Sequence, residues 1–161
     1  MPQLPDSPSS MSAPSMTSAR QSGFGLIEIM VALMIMAILA AVAYPSYLES
    51  VRKAKRAEGR AALVQLMQQQ ERSYARNNAY TAFSRASPNG FKWFSANTAS
   101  ASAYEINASA CKDGTLQDCV LLTAQPGTAH VDANYRDEAC GSLSLSSDGS
   151  QGASGGNAGC W

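Results

Sequence analysis

Gly23-Phe24-Gly25-Leu26-Ile27-Glu28, running on as IMVALMIMAILAAVAYPSY to Tyr47, is the stretch on which the fold turns. From Phe24 to Ala43 the only ionisable side chain is Glu28. At the α-helical rise these residues make a rod of roughly 30 Å, the thickness of one bilayer core. A carboxylate at the centre of such a rod costs about 2.5 to 3.5 kcal/mol on insertion scales, and less near the interface. Glu28 therefore needs a compensating partner, and it is the most informative residue in the chain.

The 161 residues suit one modest domain with an appendage. Twelve Lys and Arg balance twelve Asp and Glu, so no global field points to nucleic acid or to an acidic substrate. Cys111, Cys119, Cys140 and Cys160 all lie in the C-terminal third, without CxxC or Cys/His metal spacing. Two disulfides and an oxidising compartment are the reading taken over four buried free thiols.

Upstream, residues 1–23 are rich in Ser, Pro and Ala, and Met16 opens an alternative, shorter start, MTSARQSG. Ala40-Ala41-Val42-Ala43 could pass for a signal-peptidase site, but the apolar run exceeds a standard signal-peptide core and the helical pattern continues past it, so retention is expected. Charge counting opposes the cysteines: Arg20 alone precedes the rod, whereas Arg52, Lys53, Lys55, Arg56 and Arg60 follow it. The cysteines are given the greater weight, which places the downstream side in the oxidising compartment.

Pro45 removes a backbone donor and predicts a kink or local break. Beyond it the helical pattern resumes to about Asn77, with Tyr47, Val51, Ala54, Leu63, Leu66 or Met67, and Tyr74 as the apolar stripe. The basic run from Arg52 to Arg60 lacks interleaved aromatics and reads as a solvated helix face in preference to a lipid or DNA patch. Asn77-Asn78 and Ser87-Pro88-Asn89-Gly90 are stop and turn signals, and Phe91, Trp93 and Phe94 are expected to anchor a loop on the core. Strands are predicted at Tyr104–Asn107, Val120–Ala124 and Ser142–Ser146, paired antiparallel with one face on the helix. The Gly-rich segment after them has no evident means of packing. Three disulfide pairings are permitted; the one adopted joins Cys111 with Cys119 across a turn and Cys140 with Cys160 across that tail, the latter contributing about 3 kcal/mol in the chain-entropy model. His130 stands alone in a polar stretch as a surface residue, Asn107-Ala108-Ser109 is a weak glycosylation sequon, and no catalytic or cofactor motif is present. Neither an enzyme nor a cofactor is expected.

Gly23-Phe24 followed by Leu26-Ile27-Glu28, the unbroken apolar run and Pro45 resemble the class III signal of type IV prepilins and type II secretion pseudopilins. The resemblance implies cleavage after Gly23 by a prepilin peptidase, N-methylation of Phe24, and a Glu28 that meets the N-terminal amine of a neighbouring subunit. AEGRAALVQLMQQQERSYARNNAYTAF and CGSLSLSSDGSQGASGGNAGCW look like PilE-type minor pilins, in which a last disulfide loop closes at a Cys-Trp terminus. Gly25 stands where threonine is usual, and Ala37 replaces a glycine near which the family's helix melts in filaments, leaving Pro45 as the site of unwinding.

The expected architecture is thus an α+β type IV pilin fold. Residues 1–23 form a leader, 24–45 a transmembrane and filament-core helix, and 46–161 a head in which the helix's C-terminal half packs on a small antiparallel sheet. The implied partners are other pilin subunits, the prepilin peptidase, the inner-membrane assembly platform and, before assembly, membrane lipid. The implied location is the inner membrane with the head in the periplasm, then the extracellular pilus. The rival readings are a secretion pseudopilin, a signal-anchored periplasmic binding domain, and DNA uptake through the basic helix stretch.

Overall fold

The computed structural model describes residues 25–156 and 159–161. The expected leader and the residues expected at its processing site, Gly23 and Phe24, lie outside the described residues. One helix, α1 (Leu26–Asn77), precedes four strands, β1 (Tyr104–Ala110), β2 (Val120–Pro126), β3 (Leu143–Ser146) and β4 (Gln151–Ala153). The chain divides between Ala41 and Val42 into two compact units.

In the first unit α1 carries an apolar surface that is exposed among the described residues. Leu26 is 78% exposed and Met36 69% exposed. This is the one stretch among the described residues long and apolar enough to cross a membrane, and none of it is buried. The helix continues through Pro45, so the local break expected there is absent. Pro45 still lacks an N–H, which leaves one intrahelical bond unmade.

The second unit is the head. Its buried stripe on α1 is Arg56, Gly59, Leu63, Leu66, Gln70 and Ser73, a three-four alternation, with Ala62 beside it. It begins later than the stripe expected from the apolar residues alone: Tyr47 is 66% exposed and Val51 37%. Leu63 and Leu66 join Tyr104, Ile106, Val120, Leu122, Ala124 and Leu143 in the core. Full burial of a leucine such as Leu63 is worth about 1.5 to 3 kcal/mol.

α1 ends where Asn78 takes a left-handed φ of 52° and its N–H donates to the Tyr74 carbonyl at 2.8 Å. Buried Gln70 fixes the exit: its Nε2 donates to the Thr81 carbonyl at 2.6 Å and its Oε1 accepts from the Thr81 N–H at 2.9 Å. The connection to β1 packs through stacked Phe83 and Phe91, centroids 5.0 Å apart, and through Trp93 edge-on to Phe94. Bridges from Phe83 to Ala108 and from Phe94 to Glu105 cover the free edge of β1.

The sheet is an antiparallel meander in the order β1-β2-β3-β4. Alternation places Tyr104, Ile106 and Ala108 of β1 and Val120, Leu122 and Ala124 of β2 inward. β4 corrects the expectation for the Gly-rich tail, which pairs through its backbone with β3, Ser144 opposite Gly152. A Cβ on Gly152 would sit 2.6 Å from Ser144 Oγ, so the glycine permits the approach. The disulfides join Cys111 to Cys119 and Cys140 to Cys160.

Candidate functional site

Three places are candidates for function. The first is the start of α1, where the Glu28 N–H donates to the Gly25 carbonyl at 3.1 Å. This puts the carboxylate in the first helical turn, where the helix dipole favours an anion. The side chain is exposed, and among the described residues it forms no ion pair. Nothing within the described chain compensates it.

The second place is the buried junction between α1 and the segment before β3. Arg56 Nε and Nη2 donate to Asp137 Oδ2 and Oδ1 at 2.9 and 2.7 Å, a two-point pairing. The Tyr104 hydroxyl donates to Asp137 Oδ2 at 2.7 Å, and the Cys140 N–H donates to Oδ1 at 3.1 Å. Burial opposes ionisation of Asp137, but the bonds from Arg56, Tyr104 and the Cys140 N–H, with the Arg56 charge, outweigh it and hold the carboxyl below its usual range. The same hydrogen bond raises Arg56 above its ordinary value despite burial. Burial, then contact with Tyr135 and Asp137, pushes the Tyr104 phenol up. Among the described residues no buried side-chain nitrogen or oxygen lacks a partner. This junction is a satisfied structural tie.

Sequence reading placed Arg56 in a solvated basic run and did not single out Asp137. The findable signal was the spacing itself, because Arg56 continues the three-four alternation through Gly59, Leu63, Leu66, Gln70 and Ser73 once polar residues are admitted to it. The rest of the basic run is less buried: Arg52 and Lys53 share Glu49, and Lys55 pairs with Glu58 at 3.6 Å.

The third place is where the end of α1 meets the β1–β2 turn. The Tyr80 N–H donates to the Leu116 carbonyl at 2.7 Å, and the Tyr74 and Tyr80 rings lie 4.5 Å apart. Arg72 and Arg76 on the last turns of α1, Arg85 in the following loop and Lys112 inside the first disulfide loop are exposed. None of the four forms an ion pair among the described residues. Of the acids in these segments, Glu71 accepts from the Tyr80 hydroxyl and Asp118 accepts from Thr115, whose bonds lower its pKa, whereas Asp113, the neighbour of Lys112 in the chain, is exposed and forms no ion pair among the described residues. His130 is exposed, and no metal-binding cluster occurs among the described residues.

Residues 18–44 match the prokaryotic N-terminal methylation motif, and residues 45–144 match the family described as type IV minor pilin ComP, DNA uptake sequence receptor. The chain belongs to the type IV minor pilin ComP family. Its methylation-motif match contains Gly23, Phe24 and Glu28, and the minor pilin match runs from Pro45 through the first disulfide to Cys140 and β3. As a minor pilin, the chain is a type IV pilus subunit that carries the signal for membrane anchoring and assembly. Among solved structures it is similar to a type IV pilin from Shewanella oneidensis, at 26% identity and a TM-score of 0.45, over 68% of this chain and 97% of that one. Comparison with curated proteins gives no match.

Proposed function

We propose that this minor pilin is cut after Gly23 by a prepilin peptidase and methylated at Phe24. Residues 24–45 hold it in the inner membrane with the head in the periplasm, until an assembly platform draws it into a filament. There the Glu28 carboxylate of one subunit faces the N-terminal amine of another, and a buried charge becomes a register mark. Pro45, which leaves an intrahelical bond unmade, is the site at which α1 bends during that transfer. The observation that carries this reading is the exposed apolar half of α1, whose one first-turn acid, Glu28, forms no ion pair among the described residues. The deciding measurement is the N-terminal mass of the protein recovered from membranes and from sheared filaments. A methylated Phe24 terminus is expected in both, and an intact leader in filaments sinks the proposal.

DNA contact by the head is a second reading, favoured by the family's description and by exposed Arg72 and Arg76 on the last turns of α1, Arg85 in the loop after it and Lys112 in the first disulfide loop, none of which forms an ion pair among the described residues. The head has no large charge excess, so binding would depend on this local group. Detergent-solubilised full chain is expected to bind duplex DNA with an affinity that falls with salt. The log–log slope should shrink by about 0.9 for each phosphate left unneutralised in Arg72→Gln, Arg76→Gln or Lys112→Gln. An unchanged slope in all three variants excludes this surface.

A further inference from the structure

The Cys140–Cys160 bridge closes a span of 20 residues, yet both of its ends are held by α1 through bonds that involve no sulfur. Arg56 and Arg60 lie four residues apart and therefore share a helix face. Arg56 grips Asp137 at two points, and Asp137 Oδ1 accepts the Cys140 N–H at 3.1 Å while the Asp137 carbonyl accepts the Gly141 N–H at 2.7 Å. Arg60 Nη1 donates to the Cys160 carbonyl at 3.4 Å. Between these two anchors residues 140–155 are tied by backbone bonds, to which Trp161 adds one from its side chain. The Gly155 N–H donates to the Cys140 carbonyl at 3.0 Å, the Ser154 N–H to the Ser142 carbonyl at 2.9 Å, and the Trp161 indole to the Gly152 carbonyl at 2.7 Å.

We infer that Arg56 and Arg60 form a two-point clamp on α1 that seats the C-terminal hairpin and brings Cys140 and Cys160 together before their disulfide forms. A bridge across a free loop must overcome the closure entropy of the whole loop. Here hairpin and clamp remove much of that freedom first, so the covalent bond locks a segment that is already docked. The first bridge makes a contrast: Cys111 and Cys119 are brought together by their own turn, with the Cys119 N–H on the Thr115 carbonyl at 2.9 Å, and among the described residues neither cysteine accepts a hydrogen bond from an arginine of α1. The chemistry is ordinary exchange. Two thiols give two electrons and two protons to a disulfide donor such as oxidised glutathione, which leaves as two reduced thiols. The clamp therefore acts on the effective concentration of Cys140 and Cys160 toward each other, and not on the first pair.

The test is redox equilibration of detergent-solubilised full chain in glutathione buffers, with alkylation trapping and peptide mass spectrometry to score each bridge separately. Arg56→Lys keeps the charge but loses the fork, and should lower the effective concentration of the Cys140–Cys160 pair by about tenfold. Arg60→Gln removes a single long hydrogen bond and should lower it by about threefold. In both variants Cys111–Cys119 should stay within about twofold of wild type, as expected for a pair that shares no partner with the clamp. Should Arg56→Lys fail to fold, Arg60→Gln carries the test, because its bond lies at the margin of the core. An unchanged second bridge in Arg60→Gln, or a parallel shift of both bridges in that variant, overturns the inference.

Discussion

Met34 and Leu63 are both apolar residues on α1, yet Met34 is 65% exposed and Leu63 fully buried. Propensity does not separate the two halves of the helix, since both continue as helix through Pro45. What separates them is the phase each half has been given to pack against. The C-terminal half lies against a sheet whose inward residues match it. The N-terminal half, as far as Pro45, is exposed throughout among the described residues, and so continuous an apolar face is not stable in water without lipid or other copies to cover it. A helix half completed within the chain should report on folding when mutated, and a half completed by neighbours should report on assembly.

The sharpest break between the halves is Glu28→Ala. Incorporation into filaments should fall to background while the melting temperature of the head stays unchanged, measured by immunoblot of sheared pili and by thermal denaturation of solubilised protein. Incorporation at the wild-type level would remove the register role. In the head, Arg56→Gln leaves the Asp137 carboxylate buried without its partner and should cost about 3 to 5 kcal/mol in denaturant unfolding. Gly59→Ala sets a Cβ 2.8 Å from the buried Tyr104 ring. Overpacking of this kind costs about 1 to 3 kcal/mol, and the same substitution at Gly25, whose Cβ would lie no nearer than 3.8 Å to another group, should leave head stability unaltered.

The smallest effect is in pH. The folded-state pKa of Asp137 is depressed, so its contribution is present above the unfolded value of about 3.9 and is lost as pH falls through the lower folded value. Melting curves from pH 5 to pH 2 should therefore show the wild-type head losing stability faster with acid than Asp137→Asn. Superimposable slopes would assign the acid response to other carboxylates.

Much of this was legible beforehand. The rod, the long helix ending at Asn77, three strand positions and the distribution of cysteines follow from local composition, turn residues and period-two alternation. Apart from the break expected at Pro45, which is local, the readings that needed revision concern contacts that only folding creates. Arg56 was read by its charge as solvated, whereas Asp137, 81 residues later, makes burial tolerable. β4 was hidden because Gly, Ser and Gln have little strand propensity, and its pairing with β3 is made by backbone atoms that no side-chain pattern reports. Tyr47 and Val51 continue the apolar stripe by periodicity, yet both are exposed.

By itself the sequence determined that one helix would carry an apolar half with a lone acid and that an oxidised head would follow, because hydrophobicity, helical period and cysteine content are properties of the residues present. Only the tertiary structure decided which arginine is buried, where the packed stripe on α1 begins and how the glycine-rich tail is held. Each of those depends on a partner brought near by folding, and the cost of burying a charge or a bare backbone edge is set by that partner.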